Sequence, residues 1–225
     1  MKFKMRISFS VIVVLVSISV IFTYATVEYD FNGGYISINN NGAAGTIETQ
    51  NPYVYGSDSD NSVSAWVMTL DGSTSTRFAQ AGWRKVSTWS SPKYFYEYAY
   101  WDNQTWYTKD LNTATTGSNN DFKVGCDSST MYFVINDTSV GTVSLSTIPF
   151  SRNAVEIMGE THDTNDQCLG SVTNPVSIGN AQYKTTSNSW ISAIYNKYTS
   201  QTLSTMKNNI SVNGSTNWEI WDSRY

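Results

Sequence analysis

Apolar and polar residues alternate with a period of two in many short runs between residues 60 and 185. Side chains of a β-strand point to alternate faces, so this period predicts half-buried strands. Turn residues such as Asp71-Gly72 and Asn174-Pro175 separate the runs. The predicted strands are Val63–Leu70, Thr76–Lys85, Lys93–Trp101, Asp121–Gly125, Thr130–Ile135, Thr142–Ser146, Ala154–Thr161 and Val176–Lys184. Many short strands at this spacing indicate an all-β protein, either a sandwich or a jelly roll.

The same pattern divides the chain into segments. Residues 26–50 are rich in Gly and Asn and predict a loose N-terminal segment with one strand near Tyr35–Ile38. We expect one β-sandwich domain over 51–186 and a C-terminal extension, 187–225, that packs on it. Within the sandwich, the run from Thr130 to Ser146 predicts a hairpin that turns at Asn136-Asp137.

The first 25 residues have the pattern of a secretory leader. Three basic residues precede an apolar run from Ile7 to Phe22, and Thr23 and Ala25 then stand three and one positions before a cleavage site. The leader predicts a secreted protein. The apolar run is at the short end of what spans a bilayer, so an uncleaved membrane anchor is the alternative.

Charge narrows the range of partners. The leader holds three of the 14 basic residues and none of the 18 acidic ones, which leaves a net charge of −7 after its removal. An acidic protein is a poor ligand for nucleic acid or for anionic membranes. Charged residues make up only 14% of the chain, so Ser, Thr, Asn and Tyr must form much of the surface, as suits an extracellular setting.

The chain has two cysteines, Cys126 and Cys168. In an exported protein such a pair predicts a disulfide, with two buried thiols as the alternative. Two cysteines and one histidine do not suffice for the usual structural zinc site, and we expect neither a metal nor a cofactor.

Two strands carry side chains suited to chemistry. On Ala154–Thr161, the period places Glu156, Met158 and Glu160 on one face, together with His162 just beyond the strand. On Thr76–Lys85, Gln80 lies beside Gly82, where a missing side chain would let a ligand approach. A solvated outer face explains the first pattern equally well, and a cross-strand hydrogen bond explains the second.

A third strand, Tyr94 to Trp101, places four tyrosines on one face. With Trp101 and Trp106 nearby, they suit a groove for an extended peptide or a sugar chain. Ordinary packing within the sandwich is the alternative.

Several of these segments together resemble the eqolisin family of secreted glutamic peptidases. The resemblance lies in the order of the segments Ala65-Trp66-Val67, Asp71-Gly72, Phe78-Ala79-Gln80-Ala81-Gly82, Tyr94 to Asp102, Asn153-Ala154-Val155-Glu156-Ile157 and Ile178-Gly179-Asn180-Ala181-Gln182-Tyr183. It covers about residues 51 to 186 and implies a concanavalin A-like jelly-roll β-sandwich. The chain departs from the family pattern at Ile157, where the family tends to have Trp, and near Trp66, which lacks the usual glycine pair.

The resemblance implies that Gln80 and Glu156 are the catalytic pair. The glutamate would activate a water as general base, and the glutamine amide would orient that water and stabilise the oxyanion. The residues proposed to contact the substrate are Trp66, Tyr96, Glu97, Tyr98, Trp101, Met158 and Glu160.

Three functions remain open at this point. The first is a monomeric, secreted acid endopeptidase that acts on extracellular polypeptides. The second is a non-catalytic, lectin-like module that binds glycans, and the third is a cell-surface protein. The first requires Gln80 and Glu156 to point into one groove within reach of a shared water.

Overall fold

The computed structural model describes residues 29–199 and 202–225, and the predicted leader lies outside them. This part of the chain is built from β-strands, with one short 3-10 turn at Trp101–Asn103. No helix in the described ranges is long and apolar enough to cross a membrane. The strands are β1 (Asp30–Ser37), β2 (Gly42–Glu48), β3 (Ser62–Leu70), β4 (Arg77–Val86), β5 (Lys93–Tyr100), β6 (Thr105–Thr113), β7 (Asn119–Cys126), β8 (Thr130–Ile135), β9 (Thr138–Ser144), β10 (Ala154–Thr161), β11 (Val176–Lys184), β12 (Trp190–Ser192), β13 (Asn196–Thr199), β14 (Met206–Asn208) and β15 (Trp218–Asp222).

The strands form two antiparallel sheets. The first sheet has the order β13-β1-β10-β3-β4-β5-β6. The second has the order β14-β15-β11-β2-β7-β8-β9, with β12 paired to β11. The all-β sandwich predicted from the alternating pattern is confirmed, and so is the hairpin of β8 and β9.

All nine residues of strand β3 are buried, so both faces of the first sheet are shielded from solvent at this strand. Val63, Ala65 and Val67 belong to the main core between the two sheets. Trp66 and Met68 belong to a second, smaller apolar cluster on the outer face. The face of the first sheet that points away from the second sheet is therefore also lined by apolar side chains around β3.

The strand predicted near Tyr35–Ile38 is part of β1, but the prediction that the rest of 26–50 is loose is wrong for the residues that the structure describes. Strand β1 lies between β13 and β10, and β2 lies between β11 and β7. The glycines reflect close packing, because a Cβ on Gly34 would lie 2.8 Å from the ring of Trp218. Asn32 is fully buried and donates a hydrogen bond to the carbonyl of Met206.

The C-terminal residues contribute strands to both sheets. Strand β13 pairs with β1 at one edge of the first sheet, and β14 and β15 extend the second sheet beyond β11. Tyr195, Met206 and Ile220 of this segment are fully buried. The segment 187–225, predicted as an extension that packs on the sandwich, therefore forms part of its two sheets.

The predicted disulfide is wrong, since Cys126 and Cys168 are buried free thiols. They lie near opposite ends of β11. The carbonyl of Cys126 accepts a hydrogen bond from Lys184, at one end of that strand. The N–H of Cys168 donates to Asp222, on the strand that pairs with the other end of β11 near Val176. Eight residue steps of a β-strand span about 26 Å, far beyond the reach of a disulfide.

Candidate active site

The registers of five strand pairs place six side chains in one row across the outer face of the first sheet. Residues directly opposite each other in an antiparallel ladder share a face. The row consists of Tyr35, Glu156, Met68, Gln80, Glu97 and Thr108. Only β3, which contributes Met68, separates Glu156 from Gln80. Two strand spacings give a Cα separation of about 10 Å for this pair. We call this side of the sheet, which carries Glu97, Glu156 and Glu160, the acidic face.

Gln80 is held by a short chain of hydrogen bonds. Its side-chain Nε2 donates to Glu97 Oε2 at 3.3 Å, and Trp106 Nε1 donates to Glu97 Oε1 at 2.6 Å. Because a carboxylate only accepts, this bond fixes which end of the amide faces Glu97. The second N–H and the carbonyl oxygen of Gln80 have no partner in the hydrogen-bond pattern of the described residues, and the residue is 7% exposed.

Glu156 has a different environment. No side chain or backbone group of the described residues donates a hydrogen bond to its carboxylate. Burial, followed by the negative charge of Glu160, raises its pKa from 4.5 to about 7. A carboxyl group that is partly buried, unpartnered and close to neutral pKa is suited to proton transfer.

Glu160 is the most fully bonded carboxylate on the acidic face. Its Oε2 accepts hydrogen bonds from Trp66 Nε1 at 2.7 Å and from Ser64 Oγ at 3.2 Å. Its Oε1 lies 3.2 Å from Nε2 of His162. The other ring nitrogen of His162, Nδ1, lies 2.9 Å from the carbonyl oxygen of Asp60.

Glu97 is a second carboxyl group of the acidic face whose pKa is raised. Burial raises its pKa, and the charge of Glu160 adds to the effect. The hydrogen bonds from Trp106 and Gln80 and the charge of Arg84 act in the opposite direction. Arg84 is held by an ion pair with Asp110 at 2.7 Å. Glu97 and Glu156 therefore keep their protons to a higher pH than exposed carboxyl groups do.

The structure brings most of the predicted site residues together. Met158 and Glu160 lie on the acidic face beside Glu156, as the period of β10 predicted, and Trp66 of β3 lies opposite Met158 and donates to Glu160. Glu97 lies beside Gln80. Trp101 is 53% exposed and stacks on Trp106, with ring centroids 6.5 Å apart, at the β6 edge of this face.

Tyr96 and Tyr98 point the other way, which corrects the prediction that they line a groove. Both rings stack on Phe133 of the second sheet, at centroid distances of 4.7 and 6.1 Å. Tyr96 is only 5% exposed. The tyrosine face of β5 therefore belongs to the core, and Phe95 and Glu97 occupy the outer face.

Gly82 also has a different role from the one predicted. A Cβ at this position would overlap the carbonyl oxygen of Ala65, at 2.0 Å. The glycine is thus required by the close approach of β3 and β4 and not by a ligand.

Tyr35 and Phe31 were missing from the predicted site, and Trp106 was predicted only as a neighbour of the tyrosine groove. Tyr35 and Phe31 lie on β1 and pair with Glu156 and Glu160 of β10. They belong to the segment that was predicted to be loose apart from one strand near Tyr35–Ile38. Trp106 lies on the polar edge strand β6, and its indole N–H reaches Glu97. The signal for Trp106 was an isolated tryptophan in an otherwise polar run, which is ambiguous without the pairing of β5 and β6.

Within the described ranges, no group of three or more His, Cys, Asp or Glu side chains is arranged to hold a metal ion.

No protein-family model matches the chain, and no curated protein matches it by sequence. Solved structures do match it. Two structures of scytalidoglutamic peptidase with transition-state analogues align with TM-scores of 0.58 and 0.61, at 14% and 15% identity. SCP-B, a member of the eqolisin family in complex with the tripeptide Ala-Ile-His, aligns with a TM-score of 0.60 at 14% identity.

Each of these alignments covers 88% of this chain and 100% of the other. That span exceeds residues 51–186, so it includes strands from both terminal segments. Identities of this size show a likeness of fold. The chain therefore has the β-sandwich fold of the eqolisin glutamic peptidases, as its resemblance to them in sequence pattern predicted.

Proposed function

We propose that this protein is a secreted peptidase and that Glu156 and Gln80 are its catalytic pair. The observation that carries the proposal is the row on the acidic face. It aligns the two side chains on either side of Met68, with a carboxyl group of pKa about 7 on one side. The shared fold with known glutamic peptidases supports it.

In the proposed reaction a peptide lies across the acidic face with its scissile carbonyl above Met68. Ionised Glu156 takes a proton from a water molecule while the water oxygen bonds to the carbonyl carbon. The free N–H of Gln80 donates to the oxyanion that forms. Glu156 then returns the proton to the amide nitrogen, and the C–N bond breaks. The atoms balance without a metal or a covalent intermediate.

The hydrogen bond between Gln80 and Glu97 sets the orientation of the Gln80 side-chain amide in the proposed reaction. Glu97 occupies one amide hydrogen of Gln80, so the other hydrogen and the oxygen are presented to the substrate side. A glutamine amide held in this way is preorganised, which is what an oxyanion donor requires.

We propose a working range near neutral pH, above the acid range expected from the sequence. A general base with a pKa of about 7 is about one-tenth ionised at pH 6 and loses a further factor of ten for each unit below. Activity is therefore expected to rise with pH up to about 7. If Glu156 instead acted as the initial proton donor, activity would fall above pH 7.

The test uses the purified exported protein with an unstructured polypeptide as substrate, between pH 3 and 8. Wild type is expected to cleave it. Glu156→Gln and Gln80→Ala are each expected to lower kcat/KM at least about 100-fold. Glu219→Gln, a like change on β15 of the other sheet, is the matched control. A wild type that leaves the polypeptide intact throughout, or a fully active Glu156→Gln variant, would refute the proposal.

Secretion is part of the proposal and has its own test. The motivation is the basic, apolar and small-residue order of the first 25 residues. Mass spectrometry of the exported protein is expected to give an N-terminus at Thr26. A mass that begins at Met1 would indicate a retained anchor.

One observation favours a second candidate function, glycan binding. Trp101 and Trp106 are 53% and 58% exposed and stack with an interplanar angle of 18°. Such a pair offers an apolar platform to a sugar ring. Binding on a glycan array that is lost in Trp106→Ala would support this function, and an array without any binding would exclude it for the glycans tested.

A further inference from the structure

His162 is the only histidine of the chain, and both of its ring nitrogens face hydrogen-bond acceptors. Nδ1 has two neighbours, the carbonyl oxygen of Asp60 at 2.9 Å and the Ser62 hydroxyl at 3.4 Å. The carbonyl is the closer of the two and can only accept, whereas a hydroxyl can donate or accept, so Nδ1 carries a proton. Nε2 lies 3.2 Å from Glu160 Oε1. A neutral imidazole with its proton on Nδ1 would present a lone pair to an ionised carboxylate. The contact therefore requires one additional proton.

Glu160 decides where that proton resides. Its other oxygen accepts two hydrogen bonds, from Trp66 Nε1 and Ser64 Oγ, and both favour the ionised carboxylate. The proton therefore belongs to the ring, which makes His162 an imidazolium paired with a carboxylate.

The surroundings of His162 agree with a positive charge. Burial acts to lower its pKa, but the hydrogen bond and charge of Glu160, the Asp60 carbonyl and the charge of Asp166 raise it overall. The Tyr29 ring packs edge-on against the imidazole at 4.5 Å. The titratable groups that face the ring are thus acidic or phenolic.

We propose that His162 is a positioning residue of the acidic face: its imidazolium fixes the Glu160 carboxylate and offsets that charge, and thereby controls how readily Glu156 loses its proton. The paired state follows from geometry alone. Its effect on catalysis rests on the proposed peptidase function.

The sign of the effect follows from the charges. Glu160 already makes the ionisation of Glu156 less favourable. When His162 loses its proton at higher pH, or is replaced by a neutral residue, the charge of Glu160 is no longer offset. Glu156 then holds its proton more strongly, and fewer molecules have the base that the reaction requires.

The first experiment needs no variant. In full-length exported protein labelled with 15N-histidine, a pH titration reports two ring nitrogens from one residue. We expect a pKa above the ordinary 6.5 and, after deprotonation, a neutral ring with its proton on Nδ1. A pKa at or below 6.5, or a neutral ring protonated on Nε2, would overturn the pairing.

Two variants test the coupling. In Glu160→Gln the histidine pKa is expected to fall by about one unit. In His162→Gln the side-chain amide can still donate to Glu160 but carries no charge, and the carboxyl 13C titration of Glu156 is expected to move upwards by about half a unit or more. His162→Asn serves as a second neutral variant if the first does not fold. A Glu156 titration that stays at its wild-type midpoint in a folded variant would overturn the positioning role.

A third experiment measures cleavage of the polypeptide substrate by the same variants. The rising limb of the pH–rate profile is expected to shift upwards together with the Glu156 titration, with little change in KM. If wild type cuts no polypeptide, the proposed function fails and the titrations still decide the role of His162. If the profile shifts without the titration, the positioning role fails and the peptidase stands.

Discussion

Replacing Glu156 by glutamine is expected to stabilise the protein at neutral and alkaline pH. Burial and the charge of Glu160 raise the pKa of Glu156 from 4.5 to about 7. The folded state therefore binds this proton more tightly than the unfolded chain does. Stability contributed by the protonated form is fully present below about pH 4.5 and is lost as the pH rises to about 7.

The size of the effect follows from the shift. A difference of one pKa unit corresponds to about 1.4 kcal/mol, so a rise from 4.5 to about 7 costs about 3 kcal/mol once the carboxyl is ionised. Glutamine has nearly the same shape and carries no charge. We therefore expect the free energy of unfolding of Glu156→Gln to exceed that of wild type by about 3 kcal/mol at pH 8.5, and to be similar at pH 4.5.

Urea unfolding at the two pH values measures this difference directly. Glu219→Gln is the control for the same chemical change on the other sheet, where the carboxylate accepts a hydrogen bond from Asn209 at 3.0 Å. Equal stability of Glu156→Gln and wild type at pH 8.5, or a less stable variant, would refute the reasoning. The result does not depend on whether the protein is an enzyme.

Three further predictions concern other parts of the molecule. Both cysteines, Cys126 and Cys168, are expected to react with a thiol reagent in denaturant without prior reduction; fewer than two thiols per chain would contradict the buried free state. Trp106→Phe removes a hydrogen-bond donor that lowers the pKa of Glu97. The midpoint of the carboxyl 13C titration of Glu97 is therefore expected to move to higher pH in this variant. An unchanged midpoint would argue against the hydrogen bond. Asp137 has a φ of 59° in the β8–β9 turn, a backbone conformation that favours glycine. Asp137→Gly is therefore expected to raise the free energy of unfolding by about 0.5 to 1 kcal/mol, measured by thermal unfolding. A lower melting temperature would show that the side-chain contacts of Asp137 outweigh the backbone strain.

The sequence predicted the strands whose two faces differ in polarity. On β10, Val155 and Ile157 face the core while Glu156 and Glu160 face outwards, and the period alone assigned them correctly. Strand β5 has no such contrast. Its tyrosines suit either side, and only the pairing of Glu97 with Gln80 shows which face is inside.

Strand β2 escaped prediction and β1 was predicted only in part, near Tyr35–Ile38, for a different reason. In β1, the glycines Gly33 and Gly34 and the buried polar Asn32 interrupt the alternation of apolar and polar residues that would predict a strand. The registers that set Glu156 and Gln80 in one row involve residues far apart in sequence, which local patterns do not specify.

The pairing of β1 with β13 has a consequence for how the chain folds. Asn32 lies opposite Thr199, so an edge of the first sheet closes only after nearly the whole chain is present. Contacts between such distant residues make folding slow, on the order of milliseconds to seconds. A chain whose first sheet needs both β1 and β13 is therefore expected to complete that sheet only after β13 has been synthesised.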